Sequence, residues 1–127
     1  MIRIDHLDHL VLTVASIEAT CDFYARALGM QVETFGQGRT ALRFGDQKIN
    51  LHQAGREFEP KALKPAPGTI DLCLITESPL ADVMESLKGH GVAIIDGPVD
   101  KTGAMGPIKS VYFRDPDGNL IEIANPA

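Results

Sequence analysis

Apolar positions recur along this chain with two periods, and the same order of periods occurs twice. In residues 4–14, Leu10, Leu12 and Val14 fall on one parity and His9, Val11 and Thr13 on the other, the alternation of a strand. Ser16 is a favoured helix N-cap; Ile17, Cys21, Tyr24 and Leu28 follow at helical spacing, and Gly29 ends the run, which predicts a helix over 17–28. Three strand segments come next, at 31–35, 40–44 and 48–52, separated by Gly36-Gln37-Gly38 and Gly45-Asp46-Gln47. The first half reads βαβββ.

A proline-containing stretch with little apolar periodicity follows, with Pro60, Pro65 and Pro67 marking a connector. The order then returns. Residues 70–75 predict a strand, Ser78 an N-cap, and Pro79 the first helical position, with Leu80, Val83, Met84 and Leu87 as the buried stripe. Gly89-His90-Gly91 ends that helix, 92–95 predicts a strand, and 97–107 a loop. Two apolar runs then flank Asp115-Pro116-Asp117-Gly118-Asn119, a tight-turn composition that predicts a closing hairpin. The expected fold class is α+β, with two tandem βαβββ modules forming a cupped, barrel-like mixed sheet. Module 1 covers about residues 4–53, the connector about 54–68 and module 2 about 69–125, together one domain.

The repeat fixes which residues are equivalent. His9 precedes Ser16 by the same interval as Asp71 precedes Ser78, and precedes Gly29 by the same interval as Asp71 precedes Gly91. On the last strands, Ile49-Asn50-Leu51 overlays Ile121-Glu122-Ile123. Asn50 and Glu122, set between β-branched or leucine neighbours, point away from them. If the two sheets pair around a local twofold, His9, Asn50, Asp71 and Glu122 converge in the concavity. Nitrogen and carboxylate oxygen there suit a divalent metal ion, whose charge compensates buried carboxylates. His52 lies two residues beyond Asn50 on the same strand face and competes with it for the ion.

Composition narrows the function classes. At 127 residues the chain is long enough for a core without staples. Its net charge of -5, with no basic stripe, argues against nucleic acid. It contains no apolar run of membrane-spanning length and no signal peptide, so a cytoplasmic protein without a membrane partner is expected. Cys21 and Cys73 fall in apolar patterns and read as reduced, structural thiols.

The motifs Asp8-His9-Leu10-Val11-Leu12-Thr13-Val14, Phe23-Tyr24, Leu28-Gly29-Met30 and Phe113 to Glu122 resemble the vicinal oxygen chelate superfamily of glyoxalase I, bleomycin resistance proteins and extradiol dioxygenases. The resemblance implies ligands on the first and last strands of each module: His9, Asn50 or His52, Asp71 and Glu122. It implies a divalent ion, with Ni, Co, Zn, Mn, Mg and Fe all open. The chain departs from the family where Asp71 replaces the usual histidine and Asn50 the glyoxalase glutamate or glutamine. The expected activity is a glyoxalase- or lyase-like reaction, in which the ion polarises substrate oxygens while Glu122, or secondarily His52, moves a proton. Extradiol-type oxygenation and non-catalytic drug or metabolite binding are the alternatives. A homodimer is expected, acting on a small-molecule substrate that carries negative charge if Arg43, Arg56, Lys61 or Lys109 binds it. Residues 102–107, with hinge glycines, are a candidate lid; His6 and His90 read as exposed and outside the site.

Overall fold

The computed structural model describes all of residues 1–127 and divides into two compact units, Met1–Pro67 and Gly68–Ala127. In unit 1, strand β1 (His9–Val14) leads into helix α1 (Ile17–Leu28), then β2 (Gln31–Phe35), β3 (Arg39–Phe44) and β4 (Gln47–Gln53). Unit 2 repeats the order with β5 (Asp71–Ile75), α2 (Leu80–Gly89), β6 (Asp96–Gly103), β7 (Gly106–Arg114) and β8 (Leu120–Pro126). The sheets are ordered β1-β4-β3-β2 and β5-β8-β7-β6, so in each unit the first strand pairs in parallel with the last. This is the two-module α+β fold expected from the repeat.

Alternation sorts each sheet into two faces. In β4, Ile49 and Leu51 join Leu12, Val14, Leu42 and Tyr24 as fully buried apolar side chains, while Asn50 and His52 project from the opposite face and are also buried. Unit 2 buries Leu87, Val111, Phe113 and Ile121 in the same manner. Burial of one such leucine or isoleucine contributes about 1.5–3 kcal/mol. The α1 caps match the sequence reading: Ser16 Oγ accepts from the Ala19 N–H, and Gly29 closes the helix in the left-handed region at φ 68°.

Three local expectations are corrected. Residues 92–95 form no strand; the third-from-last strand is β6, within the stretch read as a loop. β6 lies at a sheet edge, where Pro98 and the polar Asp100, Lys101 and Thr102 are tolerated, so it lacks the apolar signature of an inner strand. Gly97, at φ 105°, seats its backbone against β7, where a Cβ would meet Ser110 O at 2.5 Å. The candidate lid is the tip of the β6–β7 hairpin, with Gly103 opposite Gly106. Ser78 does not cap α2. Pro79 holds the cap position, and Asn125 Oδ1, arriving from β8, accepts from the Leu80 N–H at 2.8 Å. A long-range cap of this kind leaves no local sequence signature.

The turn after β7 is locked by buried polar groups. Asp115 Oδ1 accepts from the N–H groups of Asp117 and Asn119, and its Oδ2 accepts from Asn119 Nδ2 at 2.8 Å. Asn119 Oδ1 in turn accepts from the Ile70 N–H at 2.9 Å, which fixes the start of β5 against β8. Asn119→Ala removes these side-chain bonds and leaves the Ile70 N–H without its acceptor. It is expected to destabilise the protein by about 2–4 kcal/mol, read as a lowered urea midpoint; an unchanged midpoint would show that the network is dispensable.

Candidate functional site

Strand register places the equivalent residues as the repeat requires. Asn50 pairs across from Val11 and Ala41; Glu122 pairs across from Cys73 and Tyr112. His9 and Asp71 each open the first strand of their unit. Each unit therefore carries half of the expected set.

In unit 1, His9 Nδ1 lies 2.8 Å from Asp8 Oδ2. A carboxylate accepts, so Nδ1 carries a proton, and in the neutral form of the ring the lone pair lies on Nε2. This bond, the largest of several influences, holds Asp8 below its ordinary carboxylate value. A histidine whose second nitrogen is held by a carboxylate is the usual arrangement of a metal ligand. Asn50 is 5% exposed, and its Oδ1 is sealed from water with no hydrogen-bond donor. His52 is equally buried, but Arg39 Nη2 lies 3.2 Å from its Nε2. A guanidinium only donates, so Nε2 accepts and is already engaged. Burial, followed by the Arg39 charge, lowers the His52 pKa and keeps the ring neutral.

In unit 2, the fully buried Ser110 hydroxyl donates to Glu122 Oε2 at 2.5 Å, short as expected for a charge-assisted bond. Cys73 and Tyr112 face the same carboxylate. Burial, then the charge and hydrogen bonding of Glu122, push the Cys73 thiol up to about 11. Burial and the hydrogen bond to Glu122 push the Tyr112 phenol up to about 12. Both stay protonated at neutral pH and present donors to Glu122. Asp71 is exposed at the start of β5.

No three His, Cys, Asp or Glu side chains gather at one point. Of the cations considered from sequence, Arg43 is held by Glu33 through two bonds of 2.7 and 3.1 Å, Lys61 pairs with Glu59 and Lys109 with Asp100. The sequence reading missed Asp8, Arg39, Ser110 and Tyr112 as supporting groups. Ser110 and Tyr112 were detectable in principle, since they alternate on the strand that pairs with Glu122; Arg39, next to a glycine turn, gave no signal.

Residues 6–123 match the Glyoxalase/Bleomycin resistance protein/Dioxygenase superfamily, and the chain belongs to that family. Among curated proteins it is 58% identical over 119 residues to the glyoxalase domain-containing protein RDO1 of Mycosarcoma maydis, covering 94% of this chain and 67% of that one. It is 57% identical over 121 residues to the virulence protein STM3117 of Salmonella typhimurium, covering 95% and 84%. The crystal structure of STM3117 superposes with a TM-score of 0.98, over 99% of this chain and 100% of that one. TnmS3, an antibiotic binding protein from Streptomyces sp. CB03234, is 25% identical with a TM-score of 0.77, and each chain is covered in full.

The position of Cys73 beside Glu122 gives a pH-dependent readout. In chelator-treated protein, alkylation by iodoacetamide is expected to rise only as the pH approaches about 11. Glu122→Gln removes the neighbouring negative charge, lowers the thiol pKa and shifts the profile toward neutrality. Superimposable profiles would show that Glu122 does not act on the thiol.

Proposed function

We propose that this protein is a metal-dependent enzyme of the superfamily that carries out glyoxalase- or lyase-type proton transfer on a small oxygen-bearing substrate. The observation that carries the reading is the buried, donorless Asn50 Oδ1, at the register position that Glu122 occupies in unit 2. A buried acceptor without a donor is costly unless a donor or a cation meets it. The proposed donors are His9 through Nε2 and Asn50 through Oδ1 in unit 1, and Asp71 and Glu122 in unit 2. Asn50 is preferred to His52 because the His52 Nε2 is held by Arg39. Each unit supplies two of these donors, fewer than the roughly four to six that a divalent ion takes; a homodimer is part of the same proposal. The oxygen-rich set favours Mn²⁺, Fe²⁺ or Mg²⁺ over softer metals.

A bound ion would supply a Lewis acid for a substrate oxygen. Glu122 is the proton-transfer group: Ser110 orients its Oε2, and Tyr112, a neutral donor, restrains the same carboxylate. His52 positions Arg39 rather than moving protons. The surroundings of this activity are proposed to be cytoplasmic, with no nucleic acid or membrane partner. A second reading, binding without chemistry, draws on the aromatic faces of Phe35 and Phe58 around Arg39.

Elemental analysis and metal titration followed by melting temperature separate the two readings. Wild type is expected to bind one ion per shell. At a hundredfold excess over Kd, the native state gains about 2.7 kcal/mol, which raises Tm by several degrees. Glu122→Ala, His9→Ala and Asn50→Ala each lose most of that rise. Absence of binding by Mn²⁺, Fe²⁺, Mg²⁺, Ni²⁺, Co²⁺ and Zn²⁺, with an unchanged melt, would overturn the enzyme reading in favour of binding alone.

A further inference from the structure

Residues 1–7 precede β1 and join no helix or strand. The one hydrogen bond to their main chain is at Leu7, whose carbonyl accepts from Gln47 Nε2 at 3.1 Å. Ile2 is 84% exposed, Ile4 83% and Leu7 67%, so these side chains are not seated on their own chain. In an extended segment Ile2 and Ile4 share one face, and Arg3 and Asp5 share the other. Neither Arg3 nor Asp5 is in an ion pair. An alternating apolar face left in water marks one half of an interface.

A matching half lies in unit 2. Met84, Glu85 and Lys88 of α2, with Val92, Ala93 and Ile94 beyond it, line a largely apolar groove of about 330 Å³. The stretch 92–95 stands outside the sheet ladder: the Val92 N–H donates to Leu87 O and the Ile95 N–H to Tyr112 O, while the N–H groups of Ala93 and Ile94 have no partner. Unpaired main chain beside an apolar trough accepts an arriving strand, because ladder bonds and alternate side chains are satisfied together. Glu85 and Lys88 are exposed at the groove and in no ion pair.

The charges of the two halves fall in step. Strand residues two apart are separated by about 6.8 Å, close to the roughly 5–6 Å between helix positions three apart. With the segment laid in one direction, Arg3 meets Glu85 and Asp5 meets Lys88, and each pair contains one long side chain that bends over the rim. In the reverse direction both pairs are like-charged, so charge selects the first.

We infer that residues 2–5 form an exchange arm that adds to this groove on a second copy of the chain, with Ile2 and Ile4 in the trough, Arg3 beside Glu85 and Asp5 beside Lys88. Withdrawing the two isoleucines of one arm from water falls short of the freedom lost when two molecules associate. A twofold in which each copy gives an arm and receives one doubles the burial for a single association. The inference rests on the homodimer proposed above and not on the metal.

The test is sedimentation equilibrium on chelator-treated full-length protein, which gives the dimer Kd. Ile4→Asp, at a side chain that one copy leaves in water, keeps the fold and is expected to raise Kd about tenfold or more. Ala93→Asp does the same from the groove. Arg3→Glu and Glu85→Arg each raise Kd about threefold, and the double variant returns it toward the wild-type value. Circular dichroism checks the fold of every variant. Copies carrying Ile4→Cys, mixed with copies carrying Met84→Cys and treated with a short bismaleimide, are expected to give a covalent pair in higher yield than either variant alone. A dimer whose Kd none of the substitutions moves, with no excess of that pair, would overturn the arm and leave the homodimer standing. A monomeric wild type would overturn both, and neither result bears on metal binding, which is titrated separately.

Discussion

The half-buried bond from the Ile70 N–H to Asn119 is the constraint on which unit 2 depends. β5 and β8 are far apart in sequence and run in parallel, so no tight turn sets their register. A shift of one residue would exchange the faces of every side chain on the strand. The Asp115 carboxylate, by gathering three N–H donors, fixes Asn119; Asn119 then fixes Ile70, and Asp71 and Cys73 follow in their places opposite β8. Satisfied buried polar groups specify one arrangement because every alternative leaves a donor unmet.

The order of elements was legible in the sequence because inner strands and amphipathic helices carry strong periodicity, and because two copies of one pattern check each other. The position of β6 was not legible. An edge strand needs no apolar alternation on its open side, and its glycine and proline imitate a loop. The α2 cap escaped for another reason: Asn125 is distant in sequence from Leu80 and reaches it only through the fold. At the site, parity alone identified the strand faces of Asn50, His52 and Glu122. It gave no information on which lone pairs are already taken, and that separates Asn50 from His52.

The two units show how a repeated scaffold acquires different chemistry. At matched register, Ala41 of β3 corresponds to Tyr112 of β7, Arg39 to Ser110, and His52 to Ala124. Unit 1 thereby surrounds its polar face with cations and aromatic rings, whereas unit 2 surrounds its glutamate with hydroxyl and thiol donors. Backbone pairing is common to both; the differences are confined to side chains on one sheet face, where substitution leaves the helix-packed core intact.

The β6 edge has a consequence for assembly. An open strand edge is a template on which further chains can add, and sheets that grow this way become fibres. Pro98 supplies no N–H there, the pairing with β7 shifts between Asp96 and Val99, and Asp100 and Lys101 place charge along the rim. A chain arriving at that edge meets a missing donor, a local change in twist and desolvation of charged groups. β6 ends one side of the sheet of unit 2, and these features oppose the addition of a further strand there.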